Sequence, residues 1–307
     1  MSARNLFGAA LCALAVTAAA EAHPGLHHDI ARASEAIEKD PTRAELYVER
    51  AYLERLDEEF DLALADLDTA RRRDPSDIRV AAERGMTLSA MDRYAEAEQE
   101  LTRFLSDGSG TAPVFAERAK VREHLGRKAA AVADYASAIA IRPDVEFYMA
   151  RGALQESLED LAGAAAGYRD GIARLGDAVN FDLALIRVET SRKRYSAALA
   201  LIDAQIARSA VKTDWYLRRA EVLDAARRTG EARRDRERAL AEAERALEKN
   251  VNGIRLFSRA KVQLALGRFD AARRDLAQVL EKAPGFAEAR EMLAMLDTAD
   301  NNKGMKP

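Results

Sequence analysis

Histidine and cysteine are scarce in this 307-residue chain, so their placement limits the chemistry it can do. Three of the four histidines, His23, His27 and His28, lie together near the N-terminus. If the chain is cleaved before His23, the new α-amine and the His23 imidazole can chelate a metal, with His27 or His28 adding a ligand. Imidazole suits copper, zinc or nickel. Three features oppose that reading. Pro24 offers no amide N–H, His27 and His28 are neighbours and so point to different sides of a helix, and only Asp29 supplies a nearby carboxylate. A solvated linker is the simpler reading. An exported Cu, Zn or Ni protein working through His23, His27 and His28 stands as the alternative. His124, the fourth histidine, reads as a surface residue. The single cysteine, Cys12, sits inside an apolar run. There is no phosphate-cradling glycine loop, no HExxH and no Ser-His-Asp layout, and the Gly-Ser-Gly at Gly108–Gly110 has nothing around it to make a nucleophile elbow. The sequence reads as a non-enzyme that needs no cofactor.

The N-terminal run LFGAALCALAVTAAA is apolar but short and alanine-rich, and Ala20-Glu21-Ala22 supplies small residues at −3 and −1. This is the layout of a secretory signal peptide over residues 1–22, cut before His23. The expectation is a periplasmic or secreted protein with no membrane span in the mature chain. Without Cys12, that mature chain has no disulfide, thiol nucleophile or cysteine metal ligand. Charged residues make up 32% of the whole chain, net charge is −3, and mean hydropathy is −0.32. Acidic and basic residues interleave, so no basic stripe offers a nucleic-acid footprint. No run of alternating apolar residues bounded by turns reads as a strand.

What must position any site is a repeat. Number 34 positions from Ala44. The small residue at position 20 is Ala63, and it returns as Ala97, Ala131, Ala164, Ala198, Ala232 and Ala272, with spacings of 34, 34, 33, 34, 34 and 40. Position 8 is small in Ala51, Gly85, Ala119, Gly152, Ala220 and Ala260, with Ile186 the exception. Bulky residues stand at position 3 or 4 (Tyr47, Phe115, Tyr148, Phe181, Trp215, Tyr216, Leu256) and at position 17 (Phe60, Tyr94, Leu161, Tyr195, Phe269). At position 17 Lys128 and Thr229 break the rule. Pro75 marks position 32. Small residues let two helices approach, and large ones fill the space beside them.

This period and pattern resemble the tetratricopeptide repeat superfamily over roughly Ala44 to Pro284. The resemblance implies an all-α fold, a right-handed α-solenoid of about seven helix pairs. Repeats begin near residues 44, 78, 112, 145, 179, 213 and 253, within an array over residues 44–286. Residues 23–43 read as a histidine-containing linker followed by an N-terminal capping helix that Asp29 can cap. Residues 287–307 read as a C-terminal capping helix and a disordered tail from Asp297. The sixth repeat is six residues long in excess, and its second helix is read over Glu231–Lys249.

Two further patterns bear on function. Position 7 is arginine in Arg50, Arg84, Arg118, Arg151, Arg219 and Arg259, and position 23 is acidic in Asp66, Glu100, Asp134, Asp235 and Asp275. Where position 7 is Leu185, position 23 is Leu201, so the two change together, as a cross-helix ion pair requires. Arg151 with Gly167 is the break. The resemblance also implies that first helices line a concave surface through positions 2, 5, 9 and 12. The candidate partner-binding groove is then Val48, Tyr52, Arg55, Met86, Lys120, Met149, Glu156, Arg187, Glu221 and Lys261. It has an apolar floor with charges of both signs, fit for an extended peptide or a helix. The expected role is an adaptor or scaffold for a protein or peptide partner in a bacterial envelope.

Overall fold

The computed structural model describes residues 24–108, 110–176 and 179–303. The signal-peptide reading of residues 1–22 and the candidate ligand His23 lie outside them. Among the described residues there are sixteen α-helices and no strand. They are α1 (Pro24–Lys39), α2 (Ala44–Leu56), α3 (Phe60–Arg73), α4 (Arg79–Ala90), α5 (Tyr94–Ser106), α6 (Ala112–His124), α7 (Lys128–Ile141) and α8 (Val145–Ser157). Then come α9 (Leu161–Leu175), α10 (Val179–Ser191), α11 (Tyr195–Arg208), α12 (Thr213–Ala225), α13 (Thr229–Lys249), α14 (Gly253–Ala265), α15 (Phe269–Lys282) and α16 (Ala287–Lys303).

The chain divides into two compact parts, one ending at Asp160 and the other starting at Leu161. In the first, α2 packs on α3, α4 on α5 and α6 on α7, with α1 against α2 and α8 against α7. First helices also touch in series, α2 to α4 and α4 to α6. In the second, α9 packs on α10, α10 on α11, α12 on α13 and α14 on α15; α16 covers α15, and α12 reaches α14.

The alanines at position 20, from Ala63 to Ala272, are all fully buried. So is the small residue at position 8, and Gly85 shows why it must be small: a Cβ there would stand 2.6 Å from Leu101 Cγ. The bulky position 4 fills the same seam, with Tyr47, Tyr148 and Leu256 buried. Position 17 departs from the expectation. It is the first residue of every second helix, half-exposed or, in Thr229 and Phe269, exposed, which is why Lys128 and Thr229 are accepted there.

Each first helix ends in the same turn. Position 15 is left-handed in all seven repeats, at Glu58, Asp92, Gly126, Glu159, Lys193, Arg227 and Gly267. The amide after it donates back five residues, as Glu59 N–H does to the Glu54 carbonyl at 2.9 Å and Arg194 N–H to the Glu189 carbonyl at 2.8 Å. This is a Schellman closure, which normally recruits glycine. Only two repeats use glycine, so nothing in the residue types announces the turn.

Both ends differ from the sequence reading. Helix α1 starts at Pro24, where a missing N–H costs nothing in the first turn. The expected linker is therefore helical from Pro24, and Asp29 lies within the helix, paired with Arg32 at 2.9 Å. Helix α16 runs on to Lys303, past the expected end at Asp297, and buries Ala289 and Leu296 on Leu276 and Val279.

Candidate partner-binding face

The arginines at position 7 hold the first helices in place. Arg50 donates through Nε to Asp66 at 2.6 Å and through its second amino group at 2.8 Å. Arg118 grips Asp134 at 2.9 and 2.6 Å, Arg219 grips Asp235 at 2.7 and 2.8 Å, and Arg259 grips Asp275 at 2.7 Å twice. Arg84 lies 3.5 Å from Glu100. The predicted cross-helix pair is thus present in five repeats. Where leucines replace it, Leu185 is buried and Leu201 packs on the cluster of Ile186, Ala198 and Ile202. The Nε of Arg151 is buried without a hydrogen-bond partner, and its guanidinium lies over the Tyr148 ring.

A second contact of these arginines is invisible in a single repeat. Arg50 also donates to Ser34 Oγ at 3.1 Å, Arg84 to Asp68 at 2.5 Å, Arg118 to Thr102 Oγ1 at 3.2 Å and Arg219 to Asp203 at 2.5 Å. Each partner stands sixteen residues upstream, on the second helix of the preceding repeat. One guanidinium therefore clips three helices.

The candidate face runs along the first helices. In the first part, Arg55 ion-pairs with Glu83, Ser89 donates to Glu117 at 2.6 Å, and Lys120 reaches Glu146 at 3.6 Å. These bonds run from late residues of one first helix to early residues of the next. They bring positions 2, 6, 9 and 12 onto one strip. Arg55 also lies over the Tyr52 ring at 5.3 Å, while Tyr52 itself is 46% exposed. Val48 and Met86 are half-buried, each against its own core cluster. Met149 and Glu156, on α8, are half-buried too. Arg55 is thus spent inside the fold, whereas Tyr52 and Lys120 face solvent. At the edge of the strip, His124 stacks on Tyr94 with ring centroids 4.3 Å apart, a surface role.

In the second part, Arg187 and Glu221 are exposed and Lys261 pairs with Asp214 at 2.8 Å. Here the direction of pairing is reversed: a late residue of α14 reaches back to an early residue of α12. The cause is α13, which has 21 residues where the other second helices have 13 to 15. Six extra residues at about 1.5 Å each move the start of α14 by roughly 9 Å along α12. The extension does not protrude; Ala243 and Leu247 are buried, and Leu247 joins the core of α14 and α15.

Buried acids are a further feature that residue types alone did not mark. Glu54, at position 11, is buried with Oε2 lacking a hydrogen-bond partner. Burial, helped by Asp66 and opposed by Arg50, pushes its pKa up to about 7. Glu189, in the same position of another repeat, is held by Arg169 and Arg192. Of the candidate metal ligands, His27 Nδ1 lies 3.2 Å from Asp57 and ties α1 to the turn after α2. Among the described residues no three His, Cys, Asp or Glu side chains gather to hold a metal, and no helix is long and apolar enough to cross a membrane.

No protein-family model and no curated protein matches the sequence. Among solved structures, the C-terminal part of a TPR repeat-containing protein from Cytophaga hutchinsonii is similar at a TM-score of 0.54 and 14% identity, over 78% of this chain and 97% of that one. A chain of the Naa15/Naa10 complex bound to HypK-THB is similar at a TM-score of 0.51 and 14% identity, over 82% of this chain and 39% of that one. Identities this low speak for the fold alone, and it agrees with the repeat spacing, the buried alanines and the paired helices: the chain has the fold of tetratricopeptide-repeat structures.

Proposed function

We propose that the chain is a non-enzymatic scaffold that holds a protein partner against the faces of its first helices. One observation carries this reading. An acid on each of five second helices is engaged by an arginine clip, while the first-helix strip leaves an exposed aromatic, Tyr52, and half-buried Val48 and Met86 beside solvent-facing Lys120. Apolar surface rimmed by charge is what a peptide or helix can bury. The secretory layout of residues 1–22 supports an envelope or exterior location for this work. The alternative of a metal carrier loses support because His27 is engaged by Asp57.

The test is site-specific photo-crosslinking in cells, with the probe at Tyr52 or, as a control, at Gln99 on the exposed side of α5. A discrete adduct from Tyr52 and none from Gln99 is expected. Charge reversal at both Lys120 and Arg187 should weaken it severalfold. Equal adducts from both probe sites would remove the face assignment.

A further inference from the structure

The displacement of α14 leaves a cleft beside its first turns. Between the start of α12, the extension of α13 and the first turns of α14 lies a cavity of about 320 Å³. Its apolar lining comes from Val211, Ala243, Ala246, Ile254 and Phe257. Val211 and Ile254 are 73% and 74% exposed, unusual for aliphatic residues on either side of one opening. Phe257 is held from behind by Phe286, ring centroids 4.9 Å apart, so the back wall is fixed. A second cavity of about 330 Å³ adjoins the first, sharing Val211, Thr213, Ala246 and Arg255. Apart from Ala210, its remaining lining is charged.

The charge there is unbalanced. Arg245 pairs with Glu242 at 2.8 Å, and Lys261 with Asp214. Arg255 spends its guanidinium on two neutral acceptors, the Ala246 and Asn250 carbonyls, at 2.8 and 3.0 Å. Lys212 and Lys249 make no ion pair among the described residues, and Glu248 is the lone unpaired acid beside them. An apolar slot therefore opens beside cations in excess. Its volume is at the low end of the ~300–1,000 Å³ of small-molecule sites, which suits a single anchoring side chain.

We propose that this cleft docks one bulky apolar side chain of a protein partner whose flanking residues are carboxylates. The inference rests on the scaffold reading above, because Asp214, Ile254, Phe257 and Lys261 belong to the first-helix face. It adds the partner's chemistry: an acidic peptide segment with an aromatic or branched aliphatic anchor. The cations at the rim would meet the carboxylates, and the fixed Phe257 wall the anchor.

The probe is a fluorescent peptide of about ten residues carrying one tryptophan between glutamates, read by anisotropy on the full chain. Controls replace the tryptophan with alanine or the glutamates with lysine. The parent should bind the first peptide at least tenfold more tightly than either control. Lys249→Glu and Ala246→Leu, the latter filling the slot, should each lose about tenfold while keeping the parent's circular dichroism and melting curve. Equal binding of the three peptides, or full binding by a folded Ala246→Leu variant, would overturn the assignment. Crosslinking from Tyr52 separates the two claims: if it persists while the peptides do not discriminate, the cleft assignment alone falls. If both fail, the scaffold reading falls with it.

Discussion

Asp134 is the sharpest place to test the arginine clip. It is 3% exposed and accepts three hydrogen bonds, two from Arg118 at 2.9 and 2.6 Å and one from Arg122 at 2.8 Å. Asp134→Ala leaves two guanidiniums facing a void. Removing one partner of a buried pair costs about 3–5 kcal/mol. The lower end applies here, because Arg122 keeps Glu98 at 2.9 Å and Arg118 keeps Thr102 at 3.2 Å. At roughly 2–4 °C per kcal/mol for a domain of this size, about 3 kcal/mol lowers the melting transition by on the order of 6–12 °C. Calorimetry reads the total, and hydrogen exchange shows where protection is lost, which should be α5, α6 and α7. The double variant Arg118→Leu, Asp134→Leu should lose less than Asp134→Ala alone, since apolar pairs often replace buried ion pairs without penalty. The chain already makes that exchange with Leu185 and Leu201. An Asp134→Ala protein that melts with the parent, or a double variant weaker than the single one, would refute the reasoning.

Glu54 gives a pH test. Its folded pKa is about 7 against 4.5 when exposed in the unfolded chain, so the stability from its neutral form is complete below about pH 4.5 and lost as pH rises through 7. Glu54→Gln should then match the parent near pH 4 and exceed it at pH 8, by about 1 kcal/mol after solvent screening, as urea melts at the two pH values would show. Arg227→Gly, at a left-handed φ of 60°, should gain about 0.5–1 kcal/mol, whereas Gly126→Ala, at φ 73°, should lose about as much; chemical denaturation measures both. Gly171→Ala should destabilise the second part by about 1–3 kcal/mol, because its Cβ would come 2.8 Å from the buried Phe181 ring. A melting curve unchanged by that substitution would contradict the packing.

The helix pairs were legible because small residues recur at fixed spacing, and such spacing has no purpose unless helices touch. The Arg–Asp pairs were legible for a related reason: Leu185 and Leu201 change in concert. The second arm of each clip was not. Ser34, Asp68, Thr102 and Asp203 are of three different residue types, and their link to the next repeat depends on how repeats stack. The left-handed turns stayed hidden behind Glu58, Asp92, Glu159, Lys193 and Arg227, ordinary helix-surface residue types. The cleft beside α14 could not be read either. The six extra residues were visible in the spacing, but the displacement they cause is a property of antiparallel packing.

The uniform offset of the clips has an implication for how such a chain can grow or shrink. Excising residues 78–111, one whole period, would bring Arg118 to the place of Arg84, where Asp68 waits in the role Thr102 had filled. That clip would close on a valid substitute, so a product shortened or duplicated by this period keeps its arginine contact to the preceding repeat. The sixth repeat is where that freedom ends. Its added length shifts the neighbour that follows, and only a like-sized insertion could restore the fit.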